Sequence, residues 1–270
     1  MAFDMDPSAA AGIVGLGVLY WIAARVLRRR PRRRQLFFFC LALVALAVAQ
    51  GPLDELSDRG SFWGHMVEHS FQCWVVPPLL LLGVPDWMLR PWVTRRWILP
   101  LARALTHPVA AFLIFTGVYA GAHVPVVFNL MTDNDAFHIA MHLAFLISGT
   151  LLWWPLMSQM PELPPLPYPQ QVLYLFLLMI PMTAVAAPIT LSTSVVYPWY
   201  AHHPHPFGLA PLEDQVLGGI VMWVADSIYL IFVFTWIFYR WSLSDTVEEP
   251  RLVRPAAPVR LAAAEPRPGA

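Results

Sequence analysis

Residues 170–193, QQVLYLFLLMIPMTAVAAPITLST, pass through 24 positions without one charged side chain. A hydrocarbon core of ~30 Å is crossed by ~20 helical residues, so this stretch reads as a membrane span. Six others pass or nearly pass the same test: 11–27, 35–50, 63–83, 108–128, 136–157 and 214–240. The second is short. Pro77 and Pro78 are expected to kink the third, and Pro181 and Pro188 the sixth. Such prolines are tolerated where neighbouring helices supply the missing donors. Composition agrees, with 58% apolar and 13% charged residues and a mean hydropathy of +0.56. Soluble domains carry roughly a quarter charged residues. The expected fold is all-α: a polytopic membrane protein with seven transmembrane helices over 11–243. An outer amino-terminal tail, 1–10, precedes it, and a disordered cytoplasmic tail, 244–270, rich in Ala, Pro and Arg, follows it.

Orientation comes from the basic residues, all 17 of which are arginine. Arg25, Arg28, Arg29, Arg30, Arg32, Arg33 and Arg34 surround the first connection. Arg90, Arg95, Arg96 and Arg103 lie in the third, and Arg240, Arg251, Arg254, Arg260 and Arg267 at or after the last helix. Seven spans put all of these on one side and leave Arg59 alone opposite. Positive charge stays cytoplasmic, so the amino terminus is expected outside and the carboxyl terminus inside. Asp4 and Asp6 before the first stretch, with arginines after it, suit a retained helix and not a cleaved signal. The Arg28–Arg34 run reads as a topology anchor. With a formal net charge of zero and no folded basic face, no nucleic-acid partner is expected. Cys40 and Cys73 fall ~10 Å apart in depth, too far for a disulfide; Cys40 reads as packing.

On that topology eight of the nine histidines lie at the outer end, His107 being the exception. His65 and His69, and again His138 and His142, are i, i+4 pairs whose members share a helix face ~6 Å apart along the axis. With His123 they bring three helices to one depth and form the candidate metal set. A wider set comprises Cys73, one turn beyond His69, with Met141, Asp214, Met222 and the loop residues His202, His203 and His205. Imidazole, thiolate and thioether together suit copper, above all Cu(I). Ionisable groups inside a bilayer are costly and face a bundle interior or a wet cavity. The bland alternatives are a solvated loop for His202–His205, apolar packing for Cys73 and Met222, and a helix cap for Asp214, followed by Gly218 and Gly219 that permit close helix approach. Glu68 immediately precedes His69, so the segment is not HExxH, and Glu68 reads as a supporting or surface group. No GxSxG, phosphate loop or dinucleotide glycine pattern is present, which removes those enzyme classes.

In order, the chain carries His65-Met-Val-Glu-His69, Pro77-Pro78 with Leu79–Gly83, His107-Pro108, His123-Val-Pro125, His138–His142, Trp153-Trp154-Pro155, Tyr197-Pro198, and Asp214-Gln215 through Gly218-Gly219 to Met222-Trp223. In these elements it resembles the polytopic CtaG family of bacterial cytochrome c oxidase assembly factors, not the single-span copper chaperone of the same name. Cys73 and His202–His205 do not map onto that pattern. The resemblance implies a multi-pass protein of the bacterial inner membrane that helps mature a haem–copper oxidase by supplying copper. Its partners would be the oxidase catalytic subunit, a periplasmic copper donor, membrane lipid and, in a homo-oligomer, its own copies. Such a metallochaperone is not an enzyme. Two other classes are open: a haem-binding or haem-handling protein with bis-His ligation, and a membrane hydrolase with a zinc-bound water, for which no catalytic carboxylate is clearly placed.

Overall fold

The structure is a computed structural model that describes residues 5–203 and 205–252. Residues 1–4 of the expected outer tail and the part of the expected disordered tail beyond 252 fall outside those residues; within them, Pro7–Ala10 is helical and the last helix is described to Leu252. Among the described residues, every regular element is helical. Five helices are long and apolar enough to cross a bilayer: Pro7–Val26, Arg33–Asp58, Asp135–Met157, Tyr168–Leu191 and Pro211–Ser244. Two bent pairs, Phe62–Gly83 with Asp86–Val93 and Leu99–Leu105 with Pro108–Ala122, bring the number of spans to as many as seven. Each stretch read from the sequence falls on one of these, and they are numbered here in that order.

The breaks follow from proline. The third span turns through 89° into Asp86–Val93, because Val84 and Pro85 are extended (ψ 111 and 146), as a residue before proline prefers. His107, before Pro108, is extended at the 64° bend in the same way. The fourth span is shorter than the 108–128 run: its helix ends at Ala122, and Val124, extended before Pro125, starts a separate helix Pro125–Asp133. The second is longer than 35–50, since a π-turn at Ala49–Leu53 accepts Pro52 and carries the helix on to Asp58. Gly60 then closes the tight turn to the third span with φ 90, a conformation that favours glycine.

Pro77 and Pro78 do not kink the third span sharply; they follow a π-turn, Phe71–Val75, and begin its last α-helical segment, Val76–Gly83. Lacking N–H groups, they leave the carbonyls four residues back, Cys73 and Trp74, without helical donors. Both are satisfied from other spans: Trp153 Nε1 donates to Cys73 O (2.9 Å) and the Tyr229 hydroxyl to Trp74 O (2.7 Å). Gln159 Nε2 likewise donates to Leu81 O (2.6 Å), four residues before Pro85. Pro181 and Pro188 lie inside one continuous helix, Tyr168–Leu191.

Packing is close where side chains are absent. A Cβ on Gly83 would stand 2.5 Å from the backbone nitrogen of Phe39, and one on Gly219 2.3 Å from Thr190 Oγ1. Small residues of this kind let spans approach in a medium that offers no hydrophobic drive between helices. The core runs from Phe62 and Met66 through Phe115, Phe128 and Phe145 to Leu178 and Leu230, while Leu19, Phe37, Leu113, Ile147, Phe176 and Phe232 face outward. Cys40 is exposed and Cys73 buried, both as free thiols.

Tyr229→Phe removes only the hydroxyl and strands the Trp74 carbonyl, so the variant should lose about 1–3 kcal/mol. A thermal melt of the detergent-solubilised protein measures this. Gly117→Ala, with open space around the new methyl, should leave the melting temperature unchanged or slightly raised.

Candidate metal centre

The third span begins where Asp214, almost fully buried at the start of the seventh, accepts hydrogen bonds from the backbone of Phe62 (2.7 Å, Oδ2) and Trp63 (3.0 Å, Oδ1). Ser61 Oγ accepts from Gly64 N. A carboxylate and a hydroxyl thus take the orphan amides of the first turn, where the helix dipole favours negative charge. This cap fixes the face on which His65, Glu68, His69 and Gln72 follow one another.

That face meets the fifth span. The His65 and His138 rings are stacked with centroids 5.6 Å apart, and His69 and His142 meet edge-on at 5.3 Å. Within the pairs the centroids are 4.3 Å and 4.1 Å apart. The two i, i+4 pairs therefore form one four-imidazole cluster. His65 Nε2 and His69 Nε2 lie 2.5 Å apart, a spacing that holds one proton between them. His65 Nδ1 faces Ser57 Oγ at 2.6 Å and the Tyr200 hydroxyl at 3.2 Å. With Nδ1–H donating there, His65 Nε2 accepts from His69 Nε2–H. His69 Nδ1 then stays buried without a partner.

Beside this cluster lies a carboxylate that the sequence reading treated as supporting or superficial. Glu68 is completely buried. Its Oε1 accepts from Gln50 Nε2 (2.8 Å) and Gln72 Nε2 (3.1 Å) and lies 3.1 Å from His142 Nε2, while Oε2 has no hydrogen-bond partner. Gln50 also reaches His142 Nδ1 (3.1 Å). One donor atom each from Asp54, Glu68, His138 and His142 lie within 4.8 Å of one another. Burying polar atoms without partners is costly. Four such atoms lie on Glu68, His69, His138 and His142, three of these residues belonging to the close donor group.

The other candidates are placed as follows. His123 is buried near the end of the fourth span; its Nδ1 donates to Tyr119 O (2.6 Å), leaving Nε2 as a donor atom for a metal. Its ring packs on Tyr119, and Tyr197 donates to its carbonyl. Cys73 sits on the π-turn among core side chains, and Met222 and Met141 pack in the same core. Asp214 is engaged in the cap. His202 and His203 are exposed, His203 stacked on Trp199, whereas His205 docks against Ser61 (3.3 Å) and Asp214 (3.4 Å). Sulfur is thus not part of the close group; its donors are nitrogen and oxygen.

Asp54 and Ser57 were missed because the apolar run of the second span stops short of them, and Gln50 because it is the last residue of that run. Their signal was a polar stripe, Gln50–Asp54–Ser57, at helical spacing, matched by Glu68 and Gln72 at i, i+4 on the third span.

The profile of the cytochrome c oxidase caa3 assembly factors matches residues 18–244. The chain is 27% identical over 263 residues to uncharacterised proteins of Mycobacterium bovis and Mycobacterium tuberculosis, covering 90% of itself and 39% of each relative. It is 25% identical over 266 residues to an uncharacterised protein of Mycobacterium leprae, covering 90% of itself and 40% of that relative. It therefore spans about two-fifths of the length of these relatives. No solved structure matches it. Its apolar helices fit a multi-pass protein of the bacterial inner membrane, and across nearly the whole of its helical part the chain belongs to the cytochrome c oxidase caa3 assembly factor family.

Proposed function

We propose that this chain accepts copper at the periplasmic end of its helix bundle, holds it among the imidazoles of His65, His69, His138 and His142, and releases it to the catalytic subunit of the oxidase it helps assemble. The observation that carries the reading is the facing of two i, i+4 imidazole pairs from different spans, with cross-span centroids 5.3–5.6 Å apart in a buried setting. Imidazole is a good copper donor, and a carboxylate beside it favours Cu(II) over Cu(I). The arginine distribution supports setting this end outside the cytoplasm. In this reading copper is cargo: it arrives from a periplasmic donor and leaves again, and no substrate bond is made or broken. An exchangeable site needs few donors and a route out, and the half-buried His138 supplies an edge from which ligands can be replaced.

Ser57 orients His65, as outer partners orient metal-bound histidines generally. His123 contributes its free Nε2 at the same end of the bundle. Cys73, packed in the core, takes no part in holding the ion.

His65→Ala/His69→Ala should reduce Cu(I) retained under reducing conditions by the purified full-length protein at least about tenfold, and active oxidase in cells with it, while membrane insertion is normal. Elemental analysis and oxidase assays measure both. Cys73→Ser should match the wild type. Unchanged Cu(I) in the double variant, or a Soret band from co-purified haem in place of copper, defeats the reading. Ser57→Ala should weaken copper binding about 10–100-fold with the stoichiometry kept, as read by competition with a chromophoric chelator.

A further inference from the structure

A cavity of about 860 Å³ opens between the first, second and fifth spans and reaches His138 and His142. Its walls carry Asp6, Asp54, Glu55, Asp58 and Asp135. Two of these are engaged, Asp6 with the backbone of Ser8 and Glu55 with Arg59. Acidic walls alone would be no more than solvated helix ends. The inner end of this cavity differs, because Asp54, His138 and His142 all line it and all converge with Glu68, each offering one donor atom within 4.8 Å of the others. Glu68 is 0% exposed; two amides hold its Oε1, and Oε2 is left without a partner. His142 is 8% exposed, and its Nε2 makes no hydrogen bond although Glu68 Oε1 is 3.1 Å away. That geometry suits two donors flanking a shared cation better than donors satisfying each other.

We propose that Asp54, Glu68, His138 and His142 form a receiving site for a divalent cation that comes in through the acidic cavity, and that the His65–His69 pair is a second, neutral position next to it. Charge sets the class of ion. Ligation deprotonates both carboxyls, and the resulting charge of −2, beside two neutral imidazoles, is one that a divalent ion cancels. A monovalent ion would leave net charge buried in a low-dielectric setting. Ligand type agrees: imidazole with carboxylate suits Zn(II) or Cu(II), whereas Cu(I) prefers sulfur or a few imidazoles. The inference deepens the cargo reading and rests on it only for the direction of transfer. His138 and His142 face His65 and His69, respectively, across the cluster, so an ion can pass from the carboxylate set to the imidazole pair by exchanging ligands one at a time.

The probe is Zn(II), which is redox-inert, added to metal-free full-length protein in detergent and followed by calorimetry and X-ray absorption. The wild type and His65→Ala/His69→Ala should each bind one Zn(II) with a mixed nitrogen and oxygen shell. Asp54→Asn/Glu68→Gln should bind it at least about tenfold more weakly. His138→Ala, at the half-buried edge of the cluster, should do the same and serves if the buried pair fails to fold. Asp58→Asn/Asp135→Asn should slow zinc uptake while leaving Kd unchanged. Wild-type zinc affinity in both the carboxylate and His138 variants overturns the site. Loss of zinc in the His65/His69 variant overturns the second position, and unaltered uptake in the Asp58/Asp135 variant overturns the route. Normal oxidase maturation in the His65/His69 variant defeats the cargo reading and leaves the zinc result standing.

Discussion

A carbonyl oxygen inside a bilayer has no water to turn to, and the third span is shaped by that fact. Pro77, Pro78 and Pro85 each remove a donor, and the oxygens they abandon on Cys73, Trp74 and Leu81 are taken by Trp153, Tyr229 and Gln159. Two of these donors lie on or just after the fifth span and one on the seventh. The same hydrogen bonds that make the prolines tolerable thus tie the third span to its neighbours and fix its rotation. A π-turn immediately before the prolines, Phe71–Val75, absorbs the remaining mismatch.

Rotation is what the imidazole cluster needs. With Asp214 capping the first turn and the proline-linked hydrogen bonds holding the other end, His65, Glu68, His69 and Gln72 are presented together to the fifth span. The second span contributes through its own π-turn at Ala49–Leu53, which includes Gln50 and lets a polar turn with Asp54 and Ser57 continue past the apolar run. Irregular helix is placed where polar side chains must meet, at sites where π-turns are often found. The arrangement is expensive: Glu68, His65 and His69 are buried in a setting that penalises charge and unpaired polar atoms alike. In the proposed reading the partnerless atoms on Glu68, His69, His138 and His142 give that cost a purpose as donors.

Family membership sets the biological frame and the cluster gives it chemistry. In the cargo reading proposed above, a site that takes up an ion and gives it away needs accessible ligands and not a closed shell. The centre has such a form, with a half-buried His138 on the edge and an acidic cavity leading to it. The matched relatives are more than twice as long, so the helical unit described here is the part they share with this chain.

Much of this was legible in the sequence. Uncharged runs determined the spans and i, i+4 spacing the two histidine pairs, because each depends on local periodicity alone; the breaks did not follow from it, since they fall at Pro85, Pro108 and Pro125 and not at Pro77, Pro78, Pro181 or Pro188. Boundaries were less legible: the fourth helix stops at Ala122 because Pro125 forces extended backbone before it, and the second runs on because a π-turn accommodates Pro52. Tertiary structure alone decided which polar residues share the site. Cys73, one turn beyond His69, was drawn into the core by the π-turn, while Glu68 and Asp54, which carry no metal motif, were drawn to the imidazoles. Which side chains end up facing one another depends on helix rotation and pairing between spans. Those are set by hydrogen bonds and close packing between residues far apart in the chain, which a one-dimensional pattern does not encode.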